Sequence, residues 1–375
     1  MFKARRKKLT KAFVLIILLS CIALVGCAGP RGWPGTYAEN DVLYAGCADG
    51  RVLALNPDSG SRSWEWSPAG GQTAGLGSCA CAGGAAGGSL AGGMSYGSPS
   101  ISNGIVFIAA YSGQVYAIDA ESGIEKWNYD TESAIAGGVA IGNETVFVGS
   151  SNGKLSALDV RDGSLKWIFT SPNQIWTTPT VVDETVYFGS LDHNIYALHT
   201  IDGTEKWVYK TGGSVASTPL VIDGIVYVGS FDKKFYAIDA DSGTLQWVFE
   251  EADKWYWSEA VYGNGTIYAC SLDHKVYALD ASTGTLSWSF ETDAPIKSSP
   301  VVAGGLLVVA SEYGKIYGLD LATGQEKWRF EDIEAKVLAP LAASGDKVYI
   351  NAQDNKLFAL DGTTGRQDWS VSLSK

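Results

Sequence analysis

Histidine and methionine are scarce in this chain: three His and two Met in 375 residues. So few histidines exclude a histidine-built metal centre, and the six cysteines include no Cys-x-x-Cys pair that would replace it. Beyond residue 26 no segment keeps a 3.6-residue hydrophobic period, which excludes a helical fold. Positive charge is also in deficit, with 28 Lys and Arg against 40 Asp and Glu and a formal charge of −12. Six of the positive charges are Lys3, Arg5, Arg6, Lys7, Lys8 and Lys11, so the chain without them stands at −18. A surface this acidic argues against nucleic acid or anionic lipid as partner and serves solubility.

What is abundant is periodic. A Trp recurs at Trp64, Trp127, Trp167, Trp207, Trp247, Trp288, Trp328 and Trp369. The steps from Trp127 onward are 40, 40, 40, 41, 40 and 41 residues, and only the first, of 63, is long. A Gly stands four residues before each, from Gly60 to Gly365, as a turn with positive φ requires. Within one unit, Leu220–Ile222, Ile225–Gly229, Phe235–Ile238 and Leu245–Phe249 are short β-branched or aromatic runs, separated by Asp-Gly and Asp-Ser-Gly turns. Such runs read as a four-stranded antiparallel meander. One such sheet cannot bury both faces, whereas eight arranged radially cover one another. The expected fold is an all-β, eight-bladed β-propeller over residues 31–375, closed by packing of blade eight on blade one with no shared strand.

Residues 1–26 read as an export signal: a basic start, then a short apolar stretch over 12–25, too short for a lasting membrane span. It ends Leu24-Val25-Gly26-Cys27, which resembles a bacterial lipobox. That resemblance implies cleavage before Cys27, acylation of its sulfur, a lipid-anchored 27–30 and a place on the outer face of a membrane. Export permits disulfides, and Cys47 is placed to pair with Cys79 or Cys81 on one face of the ring. Cys79 and Cys81 lie in a Gly-, Ala- and Ser-rich insertion at about 68–98. The insertion reads as a flexible loop, laid over the channel or left as a disordered insertion.

The repeat itself has a family likeness. Ala237-x-Asp239-x-x-Ser242-Gly243-x-x-x-Trp247 and Ala278-x-Asp280-x-x-Thr283-Gly284-x-x-x-Trp288 resemble the tryptophan-docking motif of PQQ-type β-propeller repeats. It recurs as Ala117…Trp127, Ala157…Trp167 and Ala359…Trp369, with His199 and Asn56 in place of the Asp in two units. The resemblance makes the eight docking Trp structural. In quinoprotein alcohol dehydrogenases of this family PQQ sits over the axis with a cation, covered by adjacent cysteines, with an Asp as base. This chain has no Cys-Cys dipeptide and no evident cation-ligand set, so no catalytic, cofactor or metal residue is carried over. The resemblance extends to the non-catalytic propeller lipoprotein of the outer-membrane β-barrel assembly machinery. It implies a non-enzymatic platform for envelope or membrane proteins, with a quinoprotein enzyme using PQQ and Ca²⁺ in the axial pocket as the alternative.

Residues that break the repeat mark where a partner or ligand would sit. Trp33, Trp66, Trp176, Trp255 and Trp257 lie off the docking register. Trp176 and the run Lys254-Trp255-Tyr256-Trp257 with Glu259 fall in blade-to-blade connections. Aromatics beside a carboxylate and a lysine suit a sugar, a peptide or a planar cofactor, or else form an aromatic plug. His193 and His274 occupy equivalent turns two blades apart and are expected to be turn residues.

Overall fold

The computed structural model describes residues 34–39, 41–68 and 97–374. Cys27, the export segment, Trp33, Cys79, Cys81 and most of the 68–98 insertion lie outside the described residues. The remainder forms eight four-stranded sheets, each built of four consecutive strands paired in sequence order. The fifth blade shows why. Its strands are Leu220–Ile222, Ile225–Gly229, Phe235–Asp239 and Leu245–Phe249, each short, β-branched or aromatic, and every pair is antiparallel. The first strands of neighbouring blades approach one another and so face the axis. The fourth strands are outermost, with burial that alternates along their length.

The docking motif works as a joint between blades. In the fourth strand each Trp lies opposite a small residue, Ala237 across from Trp247 for example. Its indole N–H crosses to the next blade. Trp207 donates to the Ala240 carbonyl at 2.9 Å and Trp247 to Ala281 at 3.0 Å. The indole also lies over the turn glycine of that next blade. Gly243 has φ 70°, and a Cβ built there would stand 2.7 Å from the Trp207 ring, so two independent constraints demand glycine. The motif Asp is a turn acceptor. Asp239 Oδ1 accepts from the backbone N–H groups of Asp241 and Ser242 and from the Ser242 hydroxyl, and these bonds hold its carboxyl below the usual carboxylate range. Asn56 takes over the same duty for Asp58 and Ser59.

The ring closes by packing, as expected, without strand exchange. Trp369 donates to the Pro57 carbonyl at 3.0 Å, continuing the docking series from blade eight to blade one. Asn351 donates to the carbonyls of Pro34 and Gly46, both at 2.9 Å. Leu43, Ala45 and Leu53 of blade one share a core with Tyr349, Leu357 and Ala359 of blade eight. His193 and His274 sit in turns with φ 76° and 75°, where Lys233 (φ 73°) stands in the blade between them.

Candidate functional site

The connections between blades repeat as closely as the strands do. Each places one apolar anchor in the core: Ile135, Ile175, Val215, Tyr256, Ile296 and Val337, all fully buried. The next residue faces the axis, and two further on comes the last residue before the Pro that usually opens the first strand. The residue that follows the anchor varies around the ring: Ala136 and Ala216 in blades three and five, Lys297 and Leu338 in blades seven and eight, and the two aromatics Trp176 and Trp257 in blades four and six.

Around the axis on this face lies a cavity of about 570 Å³. All eight blades line it, among them Tyr37, Ser98, Gly137, Trp176, Thr218, Trp257, Glu259, Ser299 and Pro340. The Trp176 and Trp257 rings approach to 6.3 Å at 58° and make one corner of the wall. Phe231 lies nearly parallel to Trp257 at 5.8 Å and to Trp255 at 4.9 Å, so a stack runs outward from the cavity to the rim.

Glu259 occupies a position held in other blades by Ser98, Gly138, Thr178, Thr218, Ser299 and Pro340. Its backbone N–H donates to Ser299 Oγ at 3.2 Å, which holds its backbone at the cavity wall. Burial alone pushes its carboxyl up to about 7, because charge is disfavoured away from water. Lys297 also lines the cavity, but its ammonium is engaged elsewhere, at 3.1 Å from Glu312. Glu312 is buried and takes a second ammonium from Lys336 at 2.6 Å. Burial raises the Glu312 carboxyl, but the hydrogen bonds from Lys336 and Lys297 outweigh it and hold the group below its ordinary value.

The run 254–259 is therefore divided, and not the single surface that the sequence suggested. Trp257 and Glu259 join Trp176 at the cavity. Trp255 stands outside, 47% exposed, on the Phe231 ring. Lys254 is exposed and absent from the cavity wall. Tyr256 is a correction: it is 0% exposed and packs between Phe235 and Tyr277, at 5.3 and 6.5 Å, so it offers no surface. Trp66 is likewise core, against Tyr116 at 4.7 Å. Cys47 is buried and its thiol is pushed up to about 12, with desolvation the main cause. Its expected partners lie outside the described residues. The sequence reading missed Phe231 and the Lys297–Glu312–Lys336 group. A signal existed for Glu312, which sits where blades four to six carry Leu191, Phe231 and Leu272.

A divalent cation beside a quinone needs several oxygen ligands. Among the described residues the cavity wall supplies one carboxylate, Glu259, and one side-chain amide, Gln174. No group of three or more His, Cys, Asp or Glu side chains draws together among those residues. This donor set does not fit a cation-bound quinone.

Two family models match the chain. One is described as beta-alanine-activating enzyme, beta-propeller, over residues 136–375. The other is described as outer membrane protein assembly factor BamB, over residues 48–177. Among solved structures, BamB from Moraxella catarrhalis superposes with a TM-score of 0.65 at 20% identity, covering 73% of this chain and 84% of that one. The computationally designed Ika8 protein gives 0.73 at 16% identity, covering 88% and 99%. Quinohemoprotein alcohol dehydrogenase from Comamonas testosteroni gives 0.64 at 15% identity, covering 75% and 67%. Likeness at these identities shows the fold alone. No curated protein matches the chain.

Proposed function

This chain belongs to the beta-propeller family of the beta-alanine-activating enzyme, a ring of PQQ-type repeats, and from that premise we propose that it is a non-enzymatic binding platform of the cell envelope. In this reading Cys27 carries the lipid anchor on the outer face of a membrane, and the connection face captures envelope proteins. The observation that carries it is Trp255, a large ring 47% exposed, held by a stack on Phe231 and excluded from the core. Tyr313, in the strand-two-to-three turn of blade seven, is exposed to 63%. Exposed Trp and Tyr on a rigid frame are the residue types that dominate protein interfaces. The match to the BamB family model over 48–177 supports the same reading.

The test is the double variant Trp255→Ala, Tyr313→Ala. Partner capture from envelope extracts should fall while the melting temperature stays nearly unchanged. A large loss of stability with capture intact would assign these rings to packing. The anchor is tested separately by Cys27→Ser, which should move the chain from the membrane to the soluble fraction.

The alternative is a quinoprotein-type oxidoreductase. It draws on the axial cavity, which falls within the usual volume of small-molecule sites, and on the quinohemoprotein neighbour. Saturable binding of PQQ that requires Ca²⁺ would favour it over the platform.

A further inference from the structure

The axial cavity has a chemistry that neither a platform nor a quinone site calls for. We propose that it binds a small organic cation, an alkylammonium group whose charge faces Glu259 and whose apolar substituents lie against Trp176 and Trp257. Among the described residues Glu259 lacks a partner for its side chain. No described side chain donates a hydrogen bond to its carboxylate, and no described cation stands within ion-pair range. The nearest lysine on the wall, Lys297, is tied to Glu312 at 3.1 Å. Ser, Thr, Gly and Pro fill the equivalent place in other blades, so packing does not demand a carboxylate here.

The aromatic corner supplies the second half of the site. Trp176 and Trp257 meet at 58° with 6.3 Å between ring centres, and Phe231 backs Trp257. Indole faces attract an ammonium through their quadrupole, and tilted aromatic walls beside a carboxylate suit a group that is both charged and greasy. A hydrated metal ion would gain little from those faces. An anion would meet Glu259. At about 570 Å³ the cavity lies within the range of small-molecule sites, with room for such a cation.

The titration of the site follows. Besides Glu259 the titratable lining is Tyr37, Tyr111 and Lys297. Burial raises the Tyr37 phenol further above neutrality, and Lys297 is already ion-paired. Glu259, raised to about 7, must lose its proton to face a cation, so affinity should climb as pH rises from 6 to 8.

The experiment is calorimetric titration of the full-length chain in maltoside detergent with choline and, in parallel, with 3,3-dimethylbutan-1-ol, its uncharged isostere. Choline should bind saturably, at least tenfold more tightly than the alcohol and more tightly at pH 8 than at pH 6. Glu259→Gln should abolish the preference for charge, and Trp257→Leu should weaken choline while leaving the pH dependence in place. Equal binding of the two compounds, binding of choline unchanged in Glu259→Gln, or no binding of choline overturns the proposal. The wild-type comparison of charged and uncharged probes decides the matter even where a variant fails to fold. A negative result leaves the platform reading untouched, because that reading rests on the rim and not on the cavity.

Discussion

Replacing Glu259 by Gln should make this protein more stable, and only above a particular pH. The carboxyl is raised from 4.5 to about 7 in the folded chain, with burial as the cause. The folded state therefore holds the proton more tightly than the unfolded state. Between pH 4.5 and 7 folding takes up a proton, and the stability of the wild type falls as pH rises through that window. Gln is close in size, stays neutral and escapes the penalty. A shift of this size corresponds to roughly 3 kcal/mol at most. With about 2.1 cal/mol/K of unfolding entropy per residue, the described residues of the ring correspond to a gain of about 5 °C in Tm. Thermal melts of the two proteins at pH 4, 6 and 8 measure it, and all other titrating groups cancel in the difference. The gain should be absent at pH 4, partial at pH 6 and complete at pH 8. A Gln variant no more stable than the wild type at pH 8 would refute the reasoning, since it would mean that the carboxylate is solvated or paired.

Two further outcomes follow from packing. Trp207→Phe removes the indole bond to Ala240 and part of the cover over Gly243, and should cost about 2–3 kcal/mol in urea unfolding at any of the eight joints. Tyr256→Ala should cost about 3–5 kcal/mol because it empties a fully buried anchor position, whereas Trp255→Ala, at the preceding, exposed residue, should stay within about 1 kcal/mol.

Much of the ring was legible because its joints are local in sequence. A glycine four residues before a Trp and an Asp four before that glycine encode a turn, its acceptor and the ring that covers the next turn, so periodicity alone specified blade number and closure. The site was less legible for two physical reasons. In the extended connection, successive side chains point to opposite sides, so the aromatic run 255–257 divides between rim, core and cavity. The spacing of Ile135, Ile175, Val215, Tyr256, Ile296 and Val337 holds the signal that marks Tyr256 as an anchor. The Lys297–Glu312–Lys336 group joins two connections and a turn on adjacent blades, and only the closed ring brings those charges together.

In the proposed function the connection face captures envelope proteins. The direct measurement is photo-crosslinking in living cells from a benzoyl-phenylalanine placed at Trp255, with Ile201 as control. Ile201 is 76% exposed in a turn between third and fourth strands, on the other face of the ring. The account predicts discrete adducts with envelope proteins from position 255 and none from 201. Adducts of equal strength from both positions, or none from 255, would contradict it.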